Sequence, residues 1–151
     1  MTSPSPEREA AAQGMINAYT KAGLKAEDID YINAHGTSTN LGDVAEIKAL
    51  MEVFGEALPS INISSTKSMH GHLLGATGAV EALACVMAIT RGVIPPTINC
   101  RELDPEIPAN LNLTLDKAQR REVTYTLSNT FGFGGHNSTL ILKKYQPETA
   151  L

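Results

Sequence analysis

The chain has 151 residues, of which 42% are hydrophobic and 19% charged, enough for one domain with a buried core and too apolar for disorder. Its net charge of −4 argues against nucleic acid as a partner, because phosphate binding needs clustered Lys and Arg. No apolar run reaches the roughly 18 residues of a membrane span, and Met1 to Glu7 lacks the basic head and apolar run of a signal peptide.

In chain order, Ser5-Pro6-Glu7 followed by alanines starts a helix expected to run to about Ala22 and stop at Gly23. Residues 28–33 read as a short strand, with Ile29, Tyr31 and Ile32 apolar, followed by the loop His35-Gly36-Thr37-Ser38-Thr39. Residues 43–54 read as a second helix, with Val44, Ile47, Leu50, Met51 and Phe54 at helical spacing. A second strand is expected at 61–64 and a polar loop through Thr66-Lys67-Ser68 after it. Residues 72–90 read as one long, nearly all-apolar helix, buried on most sides.

Pro95-Pro96 ends that segment, and residues 97–118 read as coil rich in Pro, Asn and Asp. Strands are expected at 124–128 and 138–142, with Phe131-Gly132-Phe133-Gly134-Gly135 between them. The order is α/β, with helices packed on a mixed sheet. It opens on a helix and closes on a strand pair, which suggests that one strand is missing at the front.

Each of the three polar loops follows a strand, and in such sheets these loops share one edge, where sites form. Singly, each has a plain reading: a turn histidine, a solvated lysine, a glycine-rich hairpin. His70 and His72 could ligate a metal, but no carboxylate or cysteine stands nearby at ligand spacing, so no metal is expected. Together, two histidines and a lysine at three strand ends could polarise a carbonyl, as enolate chemistry requires. Gly75 and Gly78 in one helical turn suggest a close approach to the helix backbone. Glu81 on the same apolar helix needs a partner if buried, and Lys67 is the candidate. The two cysteines, Cys85 and Cys100, have neither metal spacing nor disulfide density, which fits a reducing, cytoplasmic compartment.

Three motifs then resemble those of β-ketoacyl-[acyl carrier protein] synthases. Asn33-Ala34-His35-Gly36-Thr37-Ser38-Thr39 with Gly42-Asp43 resembles the family's first histidine motif. Ser65-Thr66-Lys67-Ser68-Met69-x-Gly71-His72-Leu73-Leu74-Gly75-Ala76 resembles its lysine and second-histidine motif. Ser128-Asn129-x-Phe131-Gly132-Phe133-Gly134-Gly135-x-Asn137 resembles its C-terminal gating loop. The likeness is to elongating type II enzymes and implies the C-terminal half of a thiolase-like fold, residues 1–151 forming that half without the nucleophile domain. Neither cysteine matches the family's nucleophile, so both read as structural.

The resemblance implies a decarboxylating Claisen condensation of an acyl-enzyme with malonyl-ACP in fatty-acid synthesis. His35 and His72 would hold the thioester oxygen, Lys67 would pair with Glu81, and the Phe133 amide would serve an oxyanion hole while its ring gates the pocket. Thr37 and Thr39 would bind the pantetheine arm, with Phe131 and Gly134 also lining the substrate path. Asn33, Ser128 and Asn129 with Glu81 would support the site, and these four could hold a buried structural cation. Position 70 carries His where many relatives have Thr, so His72, five residues after Lys67, is taken as the catalytic histidine. No cofactor is implied beyond the phosphopantetheine that arrives on acyl carrier protein. The implied partners are acyl carrier protein, the N-terminal half and, in the intact enzyme, a second copy. A non-catalytic partner of the chain-length-factor kind is the alternative. Thiolase itself would show a Cys-Gly motif where Phe133-Gly134-Gly135 stands, and a hydrolase would show Gly-x-Ser-x-Gly.

Overall fold

A computed structural model describes residues 6–39, 41–132 and 136–147. The first helix, α1 (Pro6–Lys21), ends in a Schellman turn: Leu24 N–H donates to Tyr19 O, Gly23 N–H donates to Thr20 O, and Gly23 takes φ 68°. After it, Lys25 N–H donates to the Asp28 carboxylate, which keeps residues 26–28 in a 3₁₀ turn. The first strand, β1 (Tyr31–Asn33), is therefore shorter than residues 28–33. Next come α2 (Gly42–Phe54), β2 (Asn62–Ser64), the single-turn helix α3 (Lys67–His70) and α4 (Thr77–Arg91). Two short strands, β3 (Val93–Ile94) and β4 (Gln119–Arg120), precede the longer β5 (Tyr125–Phe131) and β6 (Asn137–Lys143).

The main sheet runs β2-β1-β5-β6, with β1 parallel to both β2 and β5, and β6 antiparallel to β5. Asn33 pairs with Ser64 on one side and Ser128 on the other. That register ends β1 and β2 level with Ser128, from which β5 runs on to Phe131, so the loops after β1 and β2 meet at one edge beside the last residues of β5. One apolar core, with Met15, Ile32, Leu50 and Leu127, fills the space between α1, α2 and the sheet. A smaller one, with Tyr31, Cys85, Ile94 and Val123, lies under α4 on the other face. Alternate β1 residues feed the two cores, Tyr31 one and Ile32 the other, as the pleat requires.

Several expectations need correction. The helix expected from His72 begins only at Thr77, because Gly71 (φ 74°) and Leu74 (φ 52°) turn the chain and residues 74–76 form a 3₁₀ turn. Nor is it buried on most sides. Thr77, Glu81, Cys85, Ala88 and Ile89 face the sheet, while Leu83, Val86 and Met87 on the outer face are exposed, Leu83 by 60%. Among the described residues, a Cβ on Gly75 would meet nothing within 4 Å, and one on Gly78 only the Thr130 hydroxyl at 3.5 Å. Finally, residues 97–118 are not plain coil. They connect β3 to β4, lie beside β2 through the parallel bridge Ile63–Leu113, and pair with themselves through Thr97–Leu115.

Candidate active site

The loop after β1 is held from beneath. Glu46, 4% exposed, accepts the backbone N–H groups of His35 and Gly36, each at 2.9 Å, and the Asn129 amide at 3.2 Å. Burial pushes its carboxyl up, and the three donated bonds pull the other way. On the far side Ser65 Oγ donates to Gly36 O at 2.9 Å. Gly36 has φ 39°, and a Cβ there would stand 2.6 Å from Ser65 Cβ, so the position admits only glycine. Glu46 escaped the sequence reading. Its one signal is spacing: it lies four and eight residues before the buried Leu50 and Phe54, on the apolar stripe of α2.

The His35 ring packs against Phe131, the last residue of β5, at 5.5 Å between centroids, and edge-on against His72 at 5.8 Å and 88°. Its Nδ1 is buried with no partner among the described residues. Burial first, then the Lys67 ammonium and His72, lowers its pKa to about 4, so the ring is neutral at pH 7. His72 Nδ1 accepts the Leu74 N–H at 3.0 Å, which leaves Nε2 to carry the proton of a neutral ring. His70, two residues earlier, differs. Its Nδ1 donates to Gly71 O at 2.7 Å and its Nε2 accepts from the Thr66 hydroxyl at 3.0 Å, so both nitrogens are spent.

Lys67 opens α3 and is only 7% exposed, and its ammonium is bonded to Oε1 of the fully buried Glu81. Desolvation raises the Glu81 carboxyl while that ammonium opposes the shift. The pair brings α3 and α4 together under the two histidines. Thr37 and Thr39 stand with their hydroxyls 3.3 Å apart on the wall of a cavity of about 750 Å³ that also reaches Lys67 and His72. Phe133 and Gly134 lie outside the described residues.

Three of the four residues named for a structural cation are otherwise engaged. Asn33 spends its amide on Thr66, Asn129 accepts from Thr139 at 3.0 Å, and Glu81 binds Lys67, leaving only its Oε2 without a partner. Cys85 is buried in α4 and its thiol is pushed up to about 11 by desolvation; Cys100 is half-buried on the cavity wall.

Residues 1–101 match the model of the β-ketoacyl synthase C-terminal domain. The chain belongs to the β-ketoacyl synthase family. It is 45% identical, over 97% of its length, to 3-oxoacyl-[acyl-carrier-protein] synthase 2 of Staphylococcus aureus. Among solved structures it superposes on the ishigamide ketosynthase/chain length factor with a TM-score of 0.87, at 40% identity over 96% of the chain and 35% of that one. It also matches a type II polyketide ketosynthase solved with its acyl-carrier protein and a bound hexaketide, at TM-score 0.88 and 31% identity over 97% of the chain and 35% of that one. The chain spans about a third of the length of the synthases it matches, 35% of the S. aureus protein. The mixed sheet with packed helices is the ketosynthase architecture.

Proposed function

We propose that this chain supplies the His35, His72 and Lys67 part of an elongating condensing enzyme, which joins an acyl group to malonyl-ACP and yields 3-oxoacyl-ACP. The observation that carries the reading is the edge-on pair of His35 and His72, with His35 neutral and His72 Nδ1 already occupied. Rings so placed can offer N–H donors to one oxygen, and the neutral His35 adds no cation there. The names of the relatives and the order of the motifs support it.

In the reaction, the acyl group is carried as a thioester on a thiol supplied outside this chain. Malonyl-ACP loses its carboxylate as carbon dioxide, and the electron pair of the broken C–C bond passes into the thioester, whose oxygen becomes an enolate. His35 and His72 donate to that oxygen; one donor of this type is worth roughly a hundredfold or more in rate. The enolate carbon attacks the acyl carbonyl, and collapse of the tetrahedral adduct expels the thiolate. The Phe133 N–H would serve the oxyanion in that step and its ring would gate the acyl pocket. Lys67, neutralised by Glu81, sets the field around the histidines and is no nucleophile. Thr37 and Thr39 hydroxyls bind the pantetheine arm. The intact enzyme would be a homodimer served by acyl carrier protein.

The chain-length-factor reading has the ishigamide likeness in its favour. It is the weaker one, because His35, Lys67 and His72 are all present here and brought together. The experiment joins this chain to the N-terminal two thirds of the S. aureus relative and measures carbon dioxide release from malonyl-ACP with 3-oxoacyl-ACP formation. Activity that falls at least about a hundredfold in His35→Ala and in His72→Ala is expected. No activity, or activity indifferent to both substitutions, overturns the reading.

A further inference from the structure

Residues 95–118 were given no role in the reaction above beyond the cavity wall, yet they moor the turn that carries Lys67. Thr97 is fixed against residues 114–116, which themselves bond to β2. Its N–H donates to Thr114 O and its carbonyl accepts the Asp116 N–H, both at 2.8 Å, while Thr114 N–H donates to Ile63 O at 2.9 Å. From this anchored place the chain reaches the lysine turn twice. Ser65 N–H donates to Thr97 Oγ1 at 2.8 Å, and Ile98 N–H donates to Ser68 Oγ at 3.0 Å. Ser68 Oγ–H then closes on Ser65 O at 2.9 Å. The two moorings flank Lys67, one before it and one after. Ser65 is buried, so losing the Thr97 oxygen leaves a mostly desolvated N–H to be satisfied another way. Ser65 also donates to Gly36 O, so whatever holds this residue holds the His35 loop against the Lys67 turn.

We propose that Thr97 is a positioning residue for Lys67, its hydroxyl oxygen holding the turn in which the buried ammonium meets Glu81. Thr97 touches no reacting atom and acts through Ser65. The proposal deepens the role given to Lys67 above, but its readout needs no turnover, so either can fail without the other.

The test follows amine acetylation at neutral pH on the full chain by mass spectrometry, comparing Lys67 with the exposed Lys48. Thiol alkylation of the buried Cys85 runs alongside as a monitor of global opening. In the unaltered chain Lys67 should react at least about tenfold more slowly than Lys48. Thr97→Val keeps the shape and removes the acceptor; Lys67 should then react roughly tenfold faster, the order expected for one lost buried hydrogen bond, with Cys85 unchanged. Thr97→Ser should restore the slow rate. A Thr97→Val chain whose Lys67 stays slow overturns the proposal, as does a Thr97→Ser chain as fast as Thr97→Val. Should Thr97→Val expose Cys85 in step with Lys67, Ser68→Ala decides. A selective rise at Lys67 supports the mooring, and no selective rise overturns it.

Discussion

Glu46 holds His35 by its main chain and leaves the ring free. The carboxylate takes the N–H groups of His35 and Gly36 and, through Asn129, ties the loop to β5. The histidine is thus aimed by a buried acid eleven residues further along, on a helix that packs beneath the sheet. Glu46→Gln would present an amide N–H₂ to at least one of these N–H donors. It should cost about 1–3 kcal/mol of folding stability, read by urea unfolding of the full chain. Unaltered stability would mean that the loop has another support.

The pKa of His35 carries a pH signature. Its folded value of about 4 lies below the ordinary value of about 6.5, so between these limits the unfolded chain binds the proton first. Stability is then lost as pH falls from 6.5 towards 4, and the share due to His35 levels off below that. Unfolding curves of the chain and of His35→Gln, compared at pH 7 and pH 5, should show the smaller pH dependence in the variant. Parallel curves would place His35 in a solvated setting.

Lys67 and Glu81 are worth more together than either is alone. Lys67→Met leaves a carboxylate with no exposed surface and no partner, a loss of about 3–5 kcal/mol. Adding Glu81→Leu should return most of it, since a buried pair replaced by apolar side chains is often neutral. A double-mutant cycle by thermal or urea unfolding checks both steps. Additive losses would show that the two side chains do not interact.

His70 should matter less than His72. Both His70 nitrogens are committed to Gly71 and Thr66, whereas His72 Nε2 bonds to none of the described residues. In the joined enzyme, malonyl-ACP decarboxylation should fall at least about a hundredfold in His72→Ala and by much less in His70→Ala. Equal losses would reverse the assignment.

The outer face of α4 predicts association. Leu83, Val86 and Met87 lie exposed along one side of it, with Leu73 and Leu74 exposed just before its start. Apolar patches beyond a few hundred Å² normally find a partner. Sedimentation of the chain at low micromolar concentration should show oligomers, and Leu83→Glu with Met87→Lys should shift it towards monomer. A well-behaved monomer before substitution would mean that this face is content in water.

Local pattern carried part of this protein. The apolar runs ending in Asn33 and Ser64, each followed by polar residues, mark two strand ends from sequence alone, because alternation and turn chemistry are local properties. The strand expected at 124–128, by contrast, runs on to Phe131 through its pairing with β6. The Lys67–Glu81 pair was legible for a similar reason. A lone acid on the apolar stripe of α4 must find a cation, and few lysines stand near it in the chain. Composition could not say which faces of α4 are covered, since burial is set by what packs there and not by how apolar the helix is. Nor could it show that Glu46 grips the His35 loop, that His70 is spent where His72 Nε2 bonds to none of the described residues, or that Thr97 moors a turn thirty residues earlier. Each of these is a hydrogen bond between particular atoms, and all depend on the register that sets Asn33 between Ser64 and Ser128. Spacing proposes which residues share an edge, but only tertiary packing decides which of their atoms remain unpaired for chemistry.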